Sequence, residues 1–159
     1  MYNAPGSDQA ATMTDEPTDT RSTKQKPAMS AERLALEWLP GRYAVCRLAA
    51  GAEMPQWTTS GGGLVSITRT DDELSIVSPE EAVPGEVTAQ RGWRAMRVVG
   101  TLDFSMVGVL ARLTGACAGA DVPVFVVSTY DTDIVMVKAE DARRAVEALA
   151  GVADVSRLR

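Results

Sequence analysis

Leu64-Val65-Ser66-Ile67-Thr68-Arg69-Thr70-Asp71-Asp72-Glu73-Leu74-Ser75-Ile76-Val77 has a second copy 60 positions on, Val124-Phe125-Val126-Val127-Ser128-Thr129-Tyr130-Asp131-Thr132-Asp133-Ile134-Val135-Met136-Val137. Each copy reads as an apolar strand, a hydroxyl-rich acidic hairpin tip and a second apolar strand. Upstream, Arg42 to Leu48 matches Trp93 to Val99 in pattern, and an acidic helix start follows each hairpin. The chain therefore holds two copies of a β-α-β-β-α unit.

A β-α-β-β-α-β unit of about 60 residues is ferredoxin-like, with four antiparallel strands and two helices on one face. The expected class is α+β, two tandem ferredoxin-like units packed together. Neither unit buries enough surface to stand alone, so the pair should behave as one cooperative body. Strands are expected at Tyr43 to Ala49, Leu64 to Thr70, Leu74 to Ser78, Arg94 to Val99, Val122 to Thr129 and Ile134 to Lys138. Met106, Val109, Leu110, Leu113 and Cys117 carry helical spacing, as do Ala142, Ala145, Val146 and Leu149. Asp103 can cap the first of these helices, and Glu140-Asp141 suits the positive end of the second. Ser78-Pro79-Glu80-Glu81 fits a capping box opening a short helix that Pro84-Gly85 ends. The stretch from Gly51 to Gly63 is too short and too rich in Gly and Pro for a full helix, which makes the first copy degenerate.

Residues 1 to about 30 contain no Leu, Ile, Val, Phe or Trp. Such a segment cannot offset the entropy of ordering itself and is expected to be a disordered tail. Arg33 to Trp38 reads as a short amphipathic lead-in ending at Pro40-Gly41. The expected organisation is a tail over 1–30, a first unit over 31–92 and a second over 93–159.

The 159 residues include no histidine, which excludes Ser-His-Asp and Cys-His nucleophile systems, His-ligated zinc and an imidazole base. Neither a catalytic set nor a cofactor motif is legible. Asp and Glu number 21 against 16 Lys and Arg, a balance that argues against binding the phosphate backbone of nucleic acid. No apolar run reaches the roughly 18 residues needed to span a bilayer. The stretch from Val98 to Val127 is broken by Asp103, Arg112 and Asp121. Cys46 and Cys117 lie far apart in apolar stretches and read as buried reduced thiols of a cytoplasmic protein.

Ser128-Thr129-Tyr130-Asp131-Thr132-Asp133 lies between two apolar strands. It is preceded by Arg94 to Ser105 and the helix through Leu113. This arrangement resembles the ACT domain family, and more narrowly the small bacterial tandem-ACT proteins similar to the ACT units of CASTOR-type arginine sensors. The stretch from Thr68 to Glu80 is likewise similar to that group, and the resemblance covers about residues 33 to 157. It implies a regulatory module that binds an amino acid, without catalysis, at an interface between ACT units. It also implies pairing of units as a homodimer and a regulated partner protein. Carried over by position, the ligand contacts would be Leu102, Asp103, Phe104, Ser105, Met106 and Val107 with Thr129, Tyr130, Asp131 and Asp133. The other implied possibility is an ACT-type module that has lost its ligand and serves only for oligomerisation or protein interaction.

The residues themselves suit an amino acid. Backbone N–H groups at a helix start near Phe104-Ser105-Met106 would hold its carboxylate. Asp131 or Asp133 would accept from its ammonium, and Tyr130 would cover a cation. Each feature also has a plainer reading. Asp131 and Asp133 can simply satisfy turn backbone groups, and Asp103 can be only a helix cap. A metal-binding reading of Asp131-Thr132-Asp133 lacks the doubly wound scaffold that would accompany it. Gly61-Gly62-Gly63 has no Lys-Ser or Lys-Thr after it and reads as a flexible turn. Trp38, Trp57 and Trp93 are expected between the two repeats. On the 60-residue shift, Arg69 and Thr70 stand where the second copy has Thr129 and Tyr130, which argues against an equivalent first-copy site.

Overall fold

Ten regular elements follow one another in a computed structural model that describes residues 33–59 and 62–158. They are β1 (Ala35–Trp38), β2 (Tyr43–Leu48), β3 (Ser66–Arg69), β4 (Leu74–Pro79), β5 (Ala89–Val98), α1 (Val109–Gly119), β6 (Val124–Ser128), β7 (Asp133–Lys138), α2 (Ala142–Leu149) and β8 (Asp154–Arg157). Three 3-10 turns, Gln56–Thr58, Glu80–Ala82 and Ala139–Asp141, stand between them. The class is α+β, with an eight-stranded sheet and two helices. The expected tail over 1–30 lies outside the described residues.

The long strand β5 organises the sheet. Its first half pairs with β2, Tyr43 opposite Trp93 and Cys46 opposite Ala89, and β2 continues through β4 to β3. Its second half has β1 on the same edge, with Trp38 opposite Met96, and β7 on the other, with Met96 opposite Val135. Beyond β1 lies β8, in parallel, and beyond β7 lies β6. Gly92, with φ of +77°, sits inside β5 near the change of partner, and its N–H donates to Glu80 Oε2 at 2.7 Å. The expected division between residues 92 and 93 thus falls within one strand.

Three apolar clusters stack through the molecule. Val109, Leu113 and Cys117 of α1 join Ala142, Ala145 and Leu149 of α2 over Leu36, Met96, Val98, Val135 and Val137. On the opposite face of the same strands, Trp93, Ala95, Ile134 and Met136 pack with Tyr43 and Val77. β7 is therefore apolar on both faces, as a doubly covered strand must be. Ala44, Cys46, Leu74 and Ile76 form the third cluster, closed by Val83, Trp57 and Val87 from the connecting segments. Of the three tryptophans expected between the repeats, Trp93 packs there, in the cluster that joins Tyr43 and Val77 to Ile134 and Met136. Trp38, Trp93 and Trp57 belong to the first, second and third clusters respectively.

The two hairpins align one residue away from the shift read in the sequence. Arg69 pairs with Leu74 and Ser128 with Asp133, which relates the tips by 59 positions. A one-residue slip would turn every side chain to the other face. At 59, Val77 and Met136 share the middle cluster, while Ile76 and Val135 point away from it. Thr70 is consequently the counterpart of Thr129. Both donate a backbone N–H to the residue three positions on, and both hydroxyls accept from the tip backbone.

Other local expectations shift for identifiable reasons. Arg33 to Trp38 includes strand β1, because β5 and β8 supply partners on both of its edges. The first long helix begins at Val109, after Gly108 in the left-handed region at φ +83°, so Asp103 does not cap it. Asp103 Oδ1 instead accepts the Ser105 N–H at 2.8 Å within a turn. The Ser78-Pro79-Glu80-Glu81 stretch yields a single 3-10 turn without a side-chain cap, and Ser78 Oγ is buried without a partner. No helix of the described residues is long and apolar enough to cross a membrane.

Candidate functional site

The β6–β7 hairpin tip and the loop leading into α1 are fastened together by backbone. Leu102 N–H donates to Asp131 O at 2.7 Å, and the Thr132 hydroxyl donates to Val98 O at 2.7 Å. Within the tip, Thr129 N–H donates to Thr132 O, and Thr132 N–H returns to the Thr129 hydroxyl at 3.1 Å. Four residues thus close the hairpin using their own polar groups, which leaves the side chains of Tyr130 and Asp131 free to project.

Between loop and tip lies a cleft of about 210 Å³. At roughly 30 Å³ per water molecule this is the room of about seven waters, enough for a small metabolite. Its lining contains Leu102, Asp103, Phe104, Met106, Thr129, Tyr130, Asp131 and Asp133, eight of the ten residues expected at a ligand site. Ser105 and Val107 stand outside it. Val109, Ser128 and Thr132 also line it and escaped the sequence reading. Ser128 could have been found from the hairpin register, which places it opposite Asp133.

The cleft is lined by three carboxylates and no cationic side chain. Asp133 Oδ1 accepts the Ser128 hydroxyl at 2.6 Å. Hydrogen bonds from Ser105 hold the Asp103 carboxyl below the usual carboxylate range. Asp131 has no side-chain partner among the described residues. Phe104 and Tyr130 meet at the mouth, one from the loop and one from the tip.

The free backbone donors lie further along the chain than the expected Phe104-Ser105-Met106 stretch. Met106 N–H donates to Asp103 O and Ser105 N–H to Asp103 Oδ1, so that turn has spent these donors on itself. The donors available at a helix start are those of Val109, Leu110 and Ala111, because α1 carries no side-chain cap and its first backbone bond is Arg112 N–H to Gly108 O. Val109, the first residue of α1, lines the cleft together with the three carboxylates, so the positive end of a helix lies at its edge. Among the described residues, no group of three His, Cys, Asp or Glu side chains is arranged to hold a metal ion.

Comparison with known proteins agrees with this architecture. The ACT-domain family profile matches residues 88–151, and a profile described as an N-terminal domain matches 41–86. A structural-genomics protein from Agobacterium tumefaciens is 36% identical, with a TM-score of 0.72 over 78% of this chain and 92% of that one. A Vibrio cholerae protein of unknown function, described as a possible transport protein, is 18% identical, with a TM-score of 0.62 over 74% of this chain and 88% of its own. The regulatory subunit of aspartate kinase from Thermus thermophilus, in its ligand-free form, is 14% identical with a TM-score of 0.50, covering 79% of this chain and 99% of its own. No curated protein matches the sequence.

Proposed function

The chain belongs to one family with the Agobacterium tumefaciens protein and carries an ACT domain over residues 88–151, and from this premise we propose that it is a regulatory module binding a free amino acid in the cleft between Leu102–Val109 and Ser128–Asp133. One observation carries the reading. An uncapped helix start and a set of unneutralised carboxylates face the same small cavity, which is the charge pattern of a zwitterion reversed. The ligand carboxylate would lie on the Val109 to Ala111 N–H groups, and its ammonium on Asp133 with Asp131 or Asp103. Phe104 and Tyr130 would flank the side chain.

The same reading takes the chain as two tandem ACT units, the first with its helices reduced to the Gln56–Thr58 and Glu80–Ala82 turns. Strand order supports it. β5-β2-β4-β3 has the order of a four-stranded split β-α-β unit, and β1-β5-β7-β6 repeats it. β5 serves both, and β1 takes the place that the last strand of the second unit would hold. The likeness to CASTOR-type sensor units belongs to this proposal, as do cytoplasmic location and a binding role without catalysis.

The open side of the cleft supports a ligand held at an interface. Phe104 and Tyr130 are exposed there, with Val107 exposed on the same loop, an arrangement that a second copy or a regulated protein would cover. That exposure also favours the other reading, in which the patch serves assembly alone.

A thermal-shift screen of the twenty amino acids separates the two. A ligand at one hundred times its dissociation constant adds about 2.7 kcal/mol. A rise in melting temperature that Asp133→Ala abolishes supports binding. Silence from every amino acid at millimolar concentration, with assembly that depends on protein concentration alone, supports the oligomerisation module.

A further inference from the structure

Arg94 occupies a position where the strand pattern calls for an apolar side chain. Alternate residues of β5 face the helices, and the next two on that face, Met96 and Val98, are completely buried in the helix-covered core. Arg94 is only partly exposed on the same face, and its guanidinium lies 3.9 Å from the centre of the Trp38 ring. It makes no hydrogen bond or ion pair with any described residue. Arg143 and Glu147 stand close by on α2 but satisfy each other at 2.7 Å. A partly buried cation without a carboxylate is costly, and a stacked ring offsets only part of that cost.

Arg94 closes one end of a groove of about 500 Å³ between α2 and the strands below it. The other walls are the apolar side chains of Trp38, Ala142, Val146, Ala150, Val155 and Leu158, with the mutually paired Arg143 and Glu147 of α2 also lining it; the Trp38 indole N–H is already donated to Leu158 O at 2.9 Å. None of these residues lines the Asp131–Asp133 cleft. The volume falls in the range of small-molecule pockets, which combine apolar walls with a few fixed polar groups.

We propose that this groove is a second ligand site, taking a small carboxylate with an apolar tail. The planar guanidinium fork donates two parallel N–H···O bonds to the carboxylate oxygens, replacing their lost hydration. The tail lies along Val146, Val155 and Leu158. Occupancy fastens α2 to β1 and β5 through the Trp38–Arg94 stack. The inference is independent of the amino-acid cleft.

Hexanoate titrated into the full chain, read by tryptophan fluorescence and by thermal shift, tests it. The site predicts saturable binding, with hexan-1-ol and acetate each weaker by at least about tenfold, because one lacks the charge and the other the tail. Arg94→Gln should weaken hexanoate by at least about tenfold. Val146→Trp, which fills the groove from the helix, should do the same and guards against misfolding of the first variant. Asp133→Asn should leave hexanoate binding unchanged, which separates this site from the cleft. Equal binding of hexanoate and hexan-1-ol, unchanged affinity in both groove variants, or no saturable response at millimolar hexanoate would overturn the proposal.

Discussion

Phe104 and Tyr130 meet edge to face, ring centroids 5.1 Å apart and planes at 75°, while 77% and 80% of their surfaces remain exposed. Two aromatic rings from separate segments are thus held together in water with almost nothing beneath them. Exposed aromatic contacts of this kind add little to folding.

Their placement therefore predicts a separation of stability from binding. Tyr130→Ala should change unfolding free energy by no more than about 1 kcal/mol. Amino-acid affinity should fall by at least about tenfold, measured by calorimetry on the same preparation. A variant that loses stability and keeps affinity would remove Tyr130 from the site.

Glu37 ties three strands together, accepting Arg97 Nε at 2.7 Å and Arg157 at 3.3 Å. The Arg97 hydrogen bond, with help from Arg157, holds its carboxyl below the ordinary value of 4.5. A carboxyl depressed in the folded state stabilises above its unfolded value, and that contribution disappears as pH falls through the folded one. Urea denaturation should show Glu37→Gln less stable than the parent at neutral pH. The gap should narrow as pH drops below about 4.5. A gap independent of pH would assign the effect to packing.

Gly92 is the joint of β5, and its φ of +77° is unfavourable for any side chain. A Cβ there would meet nothing within 4 Å, so the cost of Gly92→Ala is conformational alone. Roughly 1–2 kcal/mol is expected, seen as a melting temperature lower by several degrees. A neutral substitution would mean that β5 relaxes at the joint.

Cys46 and Cys117 are 1% and 0% exposed, and burial pushes both thiols up from their usual range. The native protein should resist a thiol reagent such as DTNB at pH 8, with two equivalents released only on unfolding. Rapid labelling of either cysteine in the folded chain would contradict the packing described for its cluster.

Much of the architecture is legible in the residues. Six of the eight strands and both helices carry their own periodicity, and the 129–133 tip stands out by its hydroxyl and acidic run. What escaped depends on tertiary context. β1 and β8 are four residues each and exist because β1 pairs with β5 on one edge and with β8 on the other. The repeat was visible, but a shift of 60 in place of 59 cannot be detected where both faces are apolar, as at Val135, Met136 and Val137. The helix start was displaced because Met106 continues the apolar spacing of α1, whereas Gly108 turns the backbone left-handed before Val109. Eight of the ten positions carried over from the family resemblance line one cleft, whereas Arg94 and Trp38 lie far apart in sequence and become neighbours only when β1 joins β5.

The central claim, an amino acid bound between the α1 entry and the β6–β7 tip, is tested most directly by following backbone amide resonances of the labelled protein during titration with the amino acid that raises its melting temperature most. Saturable shifts should concentrate at Leu102 to Ala111 and Ser128 to Asp133, with Val109, Leu110 and Ala111 moving furthest as their N–H groups take the carboxylate. Shifts confined to other surfaces, or none at millimolar ligand, would contradict the account.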